Sequence, residues 1–324
     1  MPPANRPTTS QDDQDLASAL TGSLTVEEER LRLPQRIHAV AIVVLPLLGT
    51  AAAVAVATQL GVRPLDVALL VLMYVITILG ISVGYHRLFT HRSFKANLPV
   101  RVILGIWGSM AGQGSLSYWV SNHRRHHQHA DKRGDLHSPY VDEDRSLGRV
   151  EGFWHAHMGW TFDHQFSNPL RFARDLYRDP ALARVNQLYL LWVFLGVAIP
   201  TALGGLLTRS WMGALTGFLW GGPVRLVLTY HSTNAIDSVN HIFGRKPYHT
   251  GDEARNNVWI VLPTLGEGWH NNHHALPTSA LFGFRWWQID PGGMLIRLLE
   301  AAGWVWDVNR PTPVEIRSKQ VRAT

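Results

Sequence analysis

Apolar residues in this chain fall into long, nearly uncharged blocks, without the two-residue alternation of a half-buried strand. Residues 37–60 run through Val40-Ala-Ile-Val-Val-Leu-Pro-Leu-Leu-Gly49 and Ala51-Ala-Ala-Val-Ala-Val56, and residues 65–85 carry one acid, Asp66, near their start. A second pair follows at about 185–207 and 211–230, with Arg225 as the sole charge inside the last block. Each block is long enough to cross a bilayer as a helix. The pattern predicts an all-α fold: four transmembrane helices in two tight hairpins, with a cytosolic helical cap built from the polar segments between and after them. The apolar, glycine-rich stretch from Leu98 to Leu116 is expected to lie in the membrane interface without crossing.

Lysine and arginine set the expected orientation. The outer connections hold only Arg63 and Arg209, whereas the tails and the loop from His86 to Arg184 hold most of the other basic residues, which places both termini and the cap in the cytoplasm of a multi-pass plasma-membrane protein. Residues 1–33, rich in Pro, Thr, Gln, Asp and Glu and without a signal-peptide core, read as a disordered cytosolic tail. Residues 34–310 read as one integral-membrane domain and residues 311–324 as a C-terminal tail.

Charge and composition narrow the chemistry. Thirty basic against 24 acidic residues give +6, and basic loops beside membrane spans attract anionic lipid headgroups, which leaves no call for a nucleic-acid partner. The chain has no cysteine, so a bound metal would use imidazole and oxygen ligands.

Three histidine clusters supply such ligands in order along the chain: His86 and His91, then His123, His126 and His127, then His270, His273 and His274. On a helix over 119–129 the second cluster occupies i, i+3 and i+4, one face. The third has the same spacing, and Gly266 and Gly268 just before it predict an abrupt helix start. His86 and His91 are five apart, about 140° round an ideal α-helix, so they share a site only where the helix ends or distorts. With the second span ending at residue 85, all three clusters fall on one membrane face. Asp131 and Asp135 follow the second cluster closely and are placed to fix imidazole tautomers. Eight neutral nitrogens exceed one tetrahedral ion and suit two ions of flexible coordination, iron first and zinc second.

Taken together, these residues resemble the membrane-bound fatty acid desaturases, the stearoyl-CoA, acyl-CoA Δ9 group in particular. The HxxxxH, HxxHH and HxxHH pattern is matched in order, and the similarity continues through Gly112-Gln-Gly-Ser115, Asp135-Leu-His137, Gly152-Phe-Trp-His-Ala-His-Met-Gly-Trp160, Asp237-Ser-Val-Asn-His-Ile-Phe-Gly244 and Gly266-Glu-Gly-Trp-His270. The resemblance implies a dinuclear iron centre held by His86, His91, His123, His126, His127, His241, His270, His273 and His274, with no side-chain nucleophile. It adds His241 to the set, and it places Asp237 where the family has an asparagine that holds a metal-bound water, so that this carboxylate is a further ligand candidate, direct or through water. It also implies that Trp119 and Gln113 line the acyl site. Where relatives present Arg-Asp to a CoA headgroup, this chain has Ser121-Asn122.

The implied activity is O2-dependent insertion of a cis double bond, Δ9 by resemblance, into a long acyl chain delivered as acyl-CoA. An unactivated methylene has no acidic proton and no leaving group, so the hard step belongs to the cofactor, two Fe ions with O2 as co-substrate. No flavin, nicotinamide or haem fingerprint is present, so a separate electron donor, such as a ferredoxin- or flavin-type reductase, is expected to dock. A membrane diiron hydroxylase or alkane monooxygenase would use similar ligands, and a metal transporter is the rival from another class, although transport sites lie near the bilayer midplane.

Overall fold

The computed structural model describes residues 22–26 and 29–321, with the side chains of residues 29 and 30 left out. The first apolar block forms α1 (Glu29–Leu60), which starts inside the stretch expected as tail; most of that tail lies outside the described residues. Two prolines, Pro34 and Pro46, sit within α1, and its many exposed apolar side chains, among them Leu45, Leu48 and Val54, form a lipid-like outer face. The turn at Gly61-Val62-Arg63 leads into α2 (Pro64–Leu79), whose start is fixed by Pro64 and by Asp66 accepting from both the Arg63 backbone and its guanidinium.

α2 passes without a break into an 11-residue π-helix, Gly80–Thr90. A close approach accompanies this change of winding: a Cβ on Gly80 would meet the Gly108 nitrogen at 2.1 Å, so only glycine lets α3 (Leu98–Met110) lie against this helix. The main apolar core gathers here, with Val83, Tyr85, Leu88 and Phe89 packed against Leu104, Leu116 and Val120. α4 (Leu116–His129) follows after the kink at Gly112 and Gly114, both at positive φ.

The second apolar pair begins four residues later than expected, at α5 (Tyr189–Thr208), because the chain turns at Leu188 after a separate helix, Pro180–Gln187. The left-handed Arg209 closes the hairpin, and α6 (Trp211–Leu219), a π-turn (Trp220–Val224) and α7 (Arg225–Ile242) continue as one helical run. Three helical segments among the described residues are long and apolar enough to cross a membrane: Leu31–Leu60, Pro64–Thr90 and Tyr189–Thr208. The fourth block is helical, but Gly221, Gly222, Pro223 and Arg225 interrupt it, and it does not join that group. Leu98–Met110 is a shorter apolar helix, too short to span.

Arg225 is fully buried and donates to three backbone carbonyls, Gly221 O, Met110 O at 2.7 Å and Gly196 O at 2.8 Å. It ties α7 to the C-terminal end of α3, whose last carbonyls lack helix partners, and to the middle of α5, where Pro200 leaves the Gly196 carbonyl without its usual donor. The cap comprises α4, the short helices of residues 149–187, and the segment after α7, which includes α8 (His270–Ala275) and α9 (Pro291–Ala301). Two two-residue antiparallel pairings staple distant parts together, Thr25–Val26 with Phe166–Ser167 and Lys95–Ala96 with Val305–Trp306, and Val141–Asp142 closes a local hairpin with Arg145–Ser146. The expected C-terminal tail carries a proline-led, capped helix, Pro313–Lys319.

Candidate metal centre

The π-winding settles the geometry of the first cluster. A π-helix closes i→i+5 bonds, so residues five apart lie nearly in line. The His91 N–H indeed donates to the His86 carbonyl at 3.1 Å, and the two ring centroids are 4.8 Å apart. The second cluster lies along one face of α4 as its spacing predicts. The third sits on α8, a helix of six residues, too short to stand alone. Its intervening asparagines hold it: Asn271 exchanges two hydrogen bonds with the Tyr248 backbone, and Asn272 donates to Phe282 O.

The nine histidines of the family pattern come together in two groups. His86, His91, His123, His127 and His273 form one; His126, His241, His270 and His274 form the other, and within each group the ligand atoms lie within 4.8 Å of one another. Asp237 stands apart from both. It lies on α7 one turn before His241, on the cavity wall, 3.9 Å from His137 Nδ1.

Four carboxylates orient these rings, Glu267 and Asp135 buried and Asp131 and Asp252 partly so. Nδ1 of His86 donates to Glu267 at 2.5 Å, His126 to Asp135 at 3.0 Å, His241 to Asp131 at 2.8 Å and His274 to Asp252 at 2.9 Å. Asp131 and Asp135 follow the second cluster closely in sequence; Asp252 and Glu267 are partners that sequence spacing does not mark. In the neutral ring a proton held on Nδ1 leaves the Nε2 lone pair bare, directed inward.

The inward nitrogens fit a cation. Nε2 of His126 and His274 is buried with no hydrogen-bond partner among the described residues. His86 Nε2 and His273 Nε2 face each other at 3.0 Å, as do His241 Nε2 and His270 Nε2. Because His86 and His241 give their Nδ1 proton to a carboxylate, their Nε2 atoms present lone pairs at these contacts, and five imidazoles in one group and four in the other make a donor set that suits divalent ions with imidazole preference. A third group, His126, Asp135 and His137, is an imidazole–carboxylate network, since His126 already gives its Nδ1 to Asp135.

Burial sets most of the protonation states. Desolvation, reinforced by neighbouring imidazoles, holds His127, His270 and His273 well below the ordinary imidazole range, and burial lowers His274 to about 4 against the opposing pull of Asp252. His126 is the exception. Burial lowers it, but the charge and hydrogen bond of Asp135 outweigh that and raise it to about 9, while Asp135 itself is held far below the usual carboxylate range.

A cavity of about 740 Å³ opens onto the first group, with His86 and His123 in its wall. Trp119 also lines it and stacks on His123, ring centroids 4.9 Å apart at 24°. Gln113 lines it too, its amide donating to Thr233 Oγ1 at 2.5 Å. Much of the remaining lining is apolar or aromatic, including Ile37, Ile42, Ile81 and Tyr118.

A helical scaffold with three segments able to cross a membrane thus brings two adjacent imidazole groups, each able to hold a metal ion, to the end of an apolar cavity. The fatty acid desaturase family model matches residues 63–297, and the chain belongs to that family. It is 42% identical over 301 residues, covering 92% of this chain and 94% of the relative, to a hex-5-enoyl-[acyl-carrier protein] acetylenase of Moorena producens. It is 37% identical over 243 residues, 74% of this chain and 63% of the relative, to an icosanoyl-CoA 5-desaturase of Limnanthes douglasii. To an sn-1 stearoyl-lipid 9-desaturase of Anabaena variabilis it is 37% identical over 227 residues, 69% of this chain and 76% of the relative. Desaturase relatives mark the chain as an oxidoreductase of fatty acyl metabolism.

Proposed function

We propose that the protein is an O2-dependent fatty acyl desaturase that inserts a cis double bond at carbon 9 of a long saturated chain presented as its CoA thioester. Two iron ions held by the nine histidines would serve it, one in each imidazole group, with Asp237, which stands apart from both groups, contributing through a bound water. The observation that carries this reading is that one apolar cavity touches both Trp119 and the ligand-type histidines His86 and His123. The reading also takes α1, α2, α5 and the α6–α7 run as four membrane spans with both termini and the site on the cytosolic side. Its electrons come from a separate ferredoxin- or flavin-type donor docking on that side.

Bound iron with O2 would supply the oxidising power to remove two vicinal hydrogens from an unactivated chain. The protein's share is positioning and proton control. The apolar cavity excludes water and holds the chain, so that the carbon pair beside His86 and His123 is the one presented. The stacked Trp119 forms a flat, rigid wall next to those rings, and Gln113, anchored on Thr233, fixes the opposite polar edge. Glu267, Asp135, Asp131 and Asp252 keep each partner ring turned inward by retaining its Nδ1 proton.

A second reading of the carrier, an acyl carrier protein thioester, is favoured by Ser121-Asn122 in place of the family's CoA-facing Arg-Asp and by the acetylenase relative, whose name specifies an acyl-carrier-protein substrate. Purified protein given stearoyl-CoA or the matching acyl carrier protein thioester, O2 and a chemical reductant tests both. Loss of two hydrogens at carbons 9 and 10 is the expected product. An added oxygen atom would make the protein a hydroxylase instead, and turnover with NADPH alone would remove the need for a separate donor.

A further inference from the structure

The segment that leads from α7 to the third histidine cluster has a surface that the metal site does not explain. No residue from Asn257 to Gly266 is charged, and its outward side chains are apolar: Val258 is 56% exposed, Trp259 83% and Leu262 64%. After a single helical turn, Val258–Val261, the backbone closes on itself. Ile260 N donates to Asn257 O, Thr264 N to Ile260 O, Leu265 N to Leu262 O and Gly266 N to Val261 O, while the Asn257 side chain accepts from Trp259 N. Internal satisfaction of this kind is what a hydrocarbon environment demands of backbone that does not span it.

A hydrogen bond fixes the depth of the segment. The Tyr74 hydroxyl donates to Pro263 O at 2.7 Å and also contacts Ser232 Oγ at 2.7 Å. Tyr74 lies ten residues into the helix that begins at Pro64, about 15 Å along it at 1.5 Å per residue. That backbone position is roughly half-way through a ~30 Å hydrocarbon layer; since Thr229 faces Thr77 and Ser232 follows it by three residues, the hydroxyl reaches toward the cytosolic side and meets Pro263 within the cytosolic half of that layer. Around Tyr74 the helix turns Val71, Leu72 and Val75 outward, the pattern of a lipid-facing surface. A water-soluble partner cannot reach an apolar surface pinned at this depth; acyl chains can.

We propose that residues 257–266 form a re-entrant wedge inserted into the cytosolic leaflet beside α2, with Trp259 and Leu262 among the lipid acyl chains. The proposal rests on the reading of α2 as a membrane span. The wedge ends at Glu267, the partner of His86, so the same stretch is tied to the second span twice, at Tyr74 within the bilayer and at His86 in the metal centre. Lipid insertion thereby helps set the height of the third histidine cluster against the first.

The absence of cysteine makes the test direct. Leu262→Cys and Trp259→Cys, with Val71→Cys on the span and Asp144→Cys on the polar surface as references, are labelled with an environment-sensitive fluorophore and reconstituted in phosphatidylcholine vesicles. The expected result is quenching of the Leu262 and Trp259 labels by acyl-brominated phosphatidylcholine to the extent seen at Val71, with iodide quenching several-fold weaker than at Asp144. Iodide access at Leu262 and Trp259 matching Asp144, with Val71 still quenched by lipid, would overturn the wedge and leave the span. Shielding from both quenchers would overturn it in favour of a protein cover. Iodide access at Val71 as well would remove the span and the wedge together. Two label sites keep the test independent of the folding of either variant, and neither readout depends on turnover.

Discussion

Glu267 accepts the Nδ1 proton of His86 at 2.5 Å and at the same time pairs with the adjacent Arg87 at 3.1 Å, deep in the protein. One carboxylate therefore sets a ring's orientation and shares with Asp290 the neutralisation of a guanidinium that is fully buried. Replacing Glu267 by Gln keeps the shape but removes the charge. The expected outcome is a 10–100-fold loss of metal affinity, read by chelator competition; unchanged affinity would relieve Glu267 of this role.

The two imidazole groups predict separable losses. His273→Ala removes a nitrogen from the group of five, and His126→Ala one from the group of four. Each is expected to lower iron below two per chain by elemental analysis and to abolish desaturation. Retention of two irons in both variants would remove these histidines from the ligand set.

Metal uptake is expected to depend on pH through His126. Raised to about 9, this imidazole carries a proton at neutral pH that a cation must displace, so apparent affinity should climb by up to about tenfold per pH unit until about pH 9 and then level off. Chelator-treated protein should show a dome of stability. Between 6.5 and about 9 the folded chain holds a proton that the unfolded chain has lost, so this contribution fades as pH rises through that window. Below 6.5 the depressed histidines His127, His270, His273 and His274 reverse the sign, because the unfolded chain binds protons that they refuse. Thermal melts across pH 5–10 with chelator check both limbs.

Arg225→Met should destabilise the membrane region. Three buried carbonyls lose their donor, at about 1–3 kcal/mol each. A fall in Tm of about 5 °C or more is expected for a chain of this size. A melt within about 1 °C of the parent would mean that water or helix adjustment replaces the guanidinium.

Much of this site could be read from the order of residues. The spacing of His123, His126 and His127 fixes one helix face whatever the tertiary context, and it appears on α4 unchanged. Family resemblance supplied His241, which no local motif marks. Ordinary α-winding would set His86 and His91 about 140° apart, and nothing in Gly80–Thr90 announces the π-helix that accompanies the close approach of α3 to Gly80. Glu267 and Asp252 escaped for different reasons. Glu267 stood in a recognised motif, but its partner is 181 residues away; Asp252 lies in a polar loop with no spacing rule to link it to His274. The fourth apolar block did become helix, yet Gly221, Gly222 and Pro223 that interrupt it were visible from the start and weigh against reading it as a uniform span.

The wide winding of Gly80–Thr90 gives one proposed ligand a special fragility. Were the segment to tighten into ordinary α-helix, His91 would swing about 140° away from His86 and leave the first group. Coordination would then act as a clasp on an overwide coil, and stripping the cation should let amide protons between Tyr85 and His91 exchange faster before any other part of the scaffold loosens.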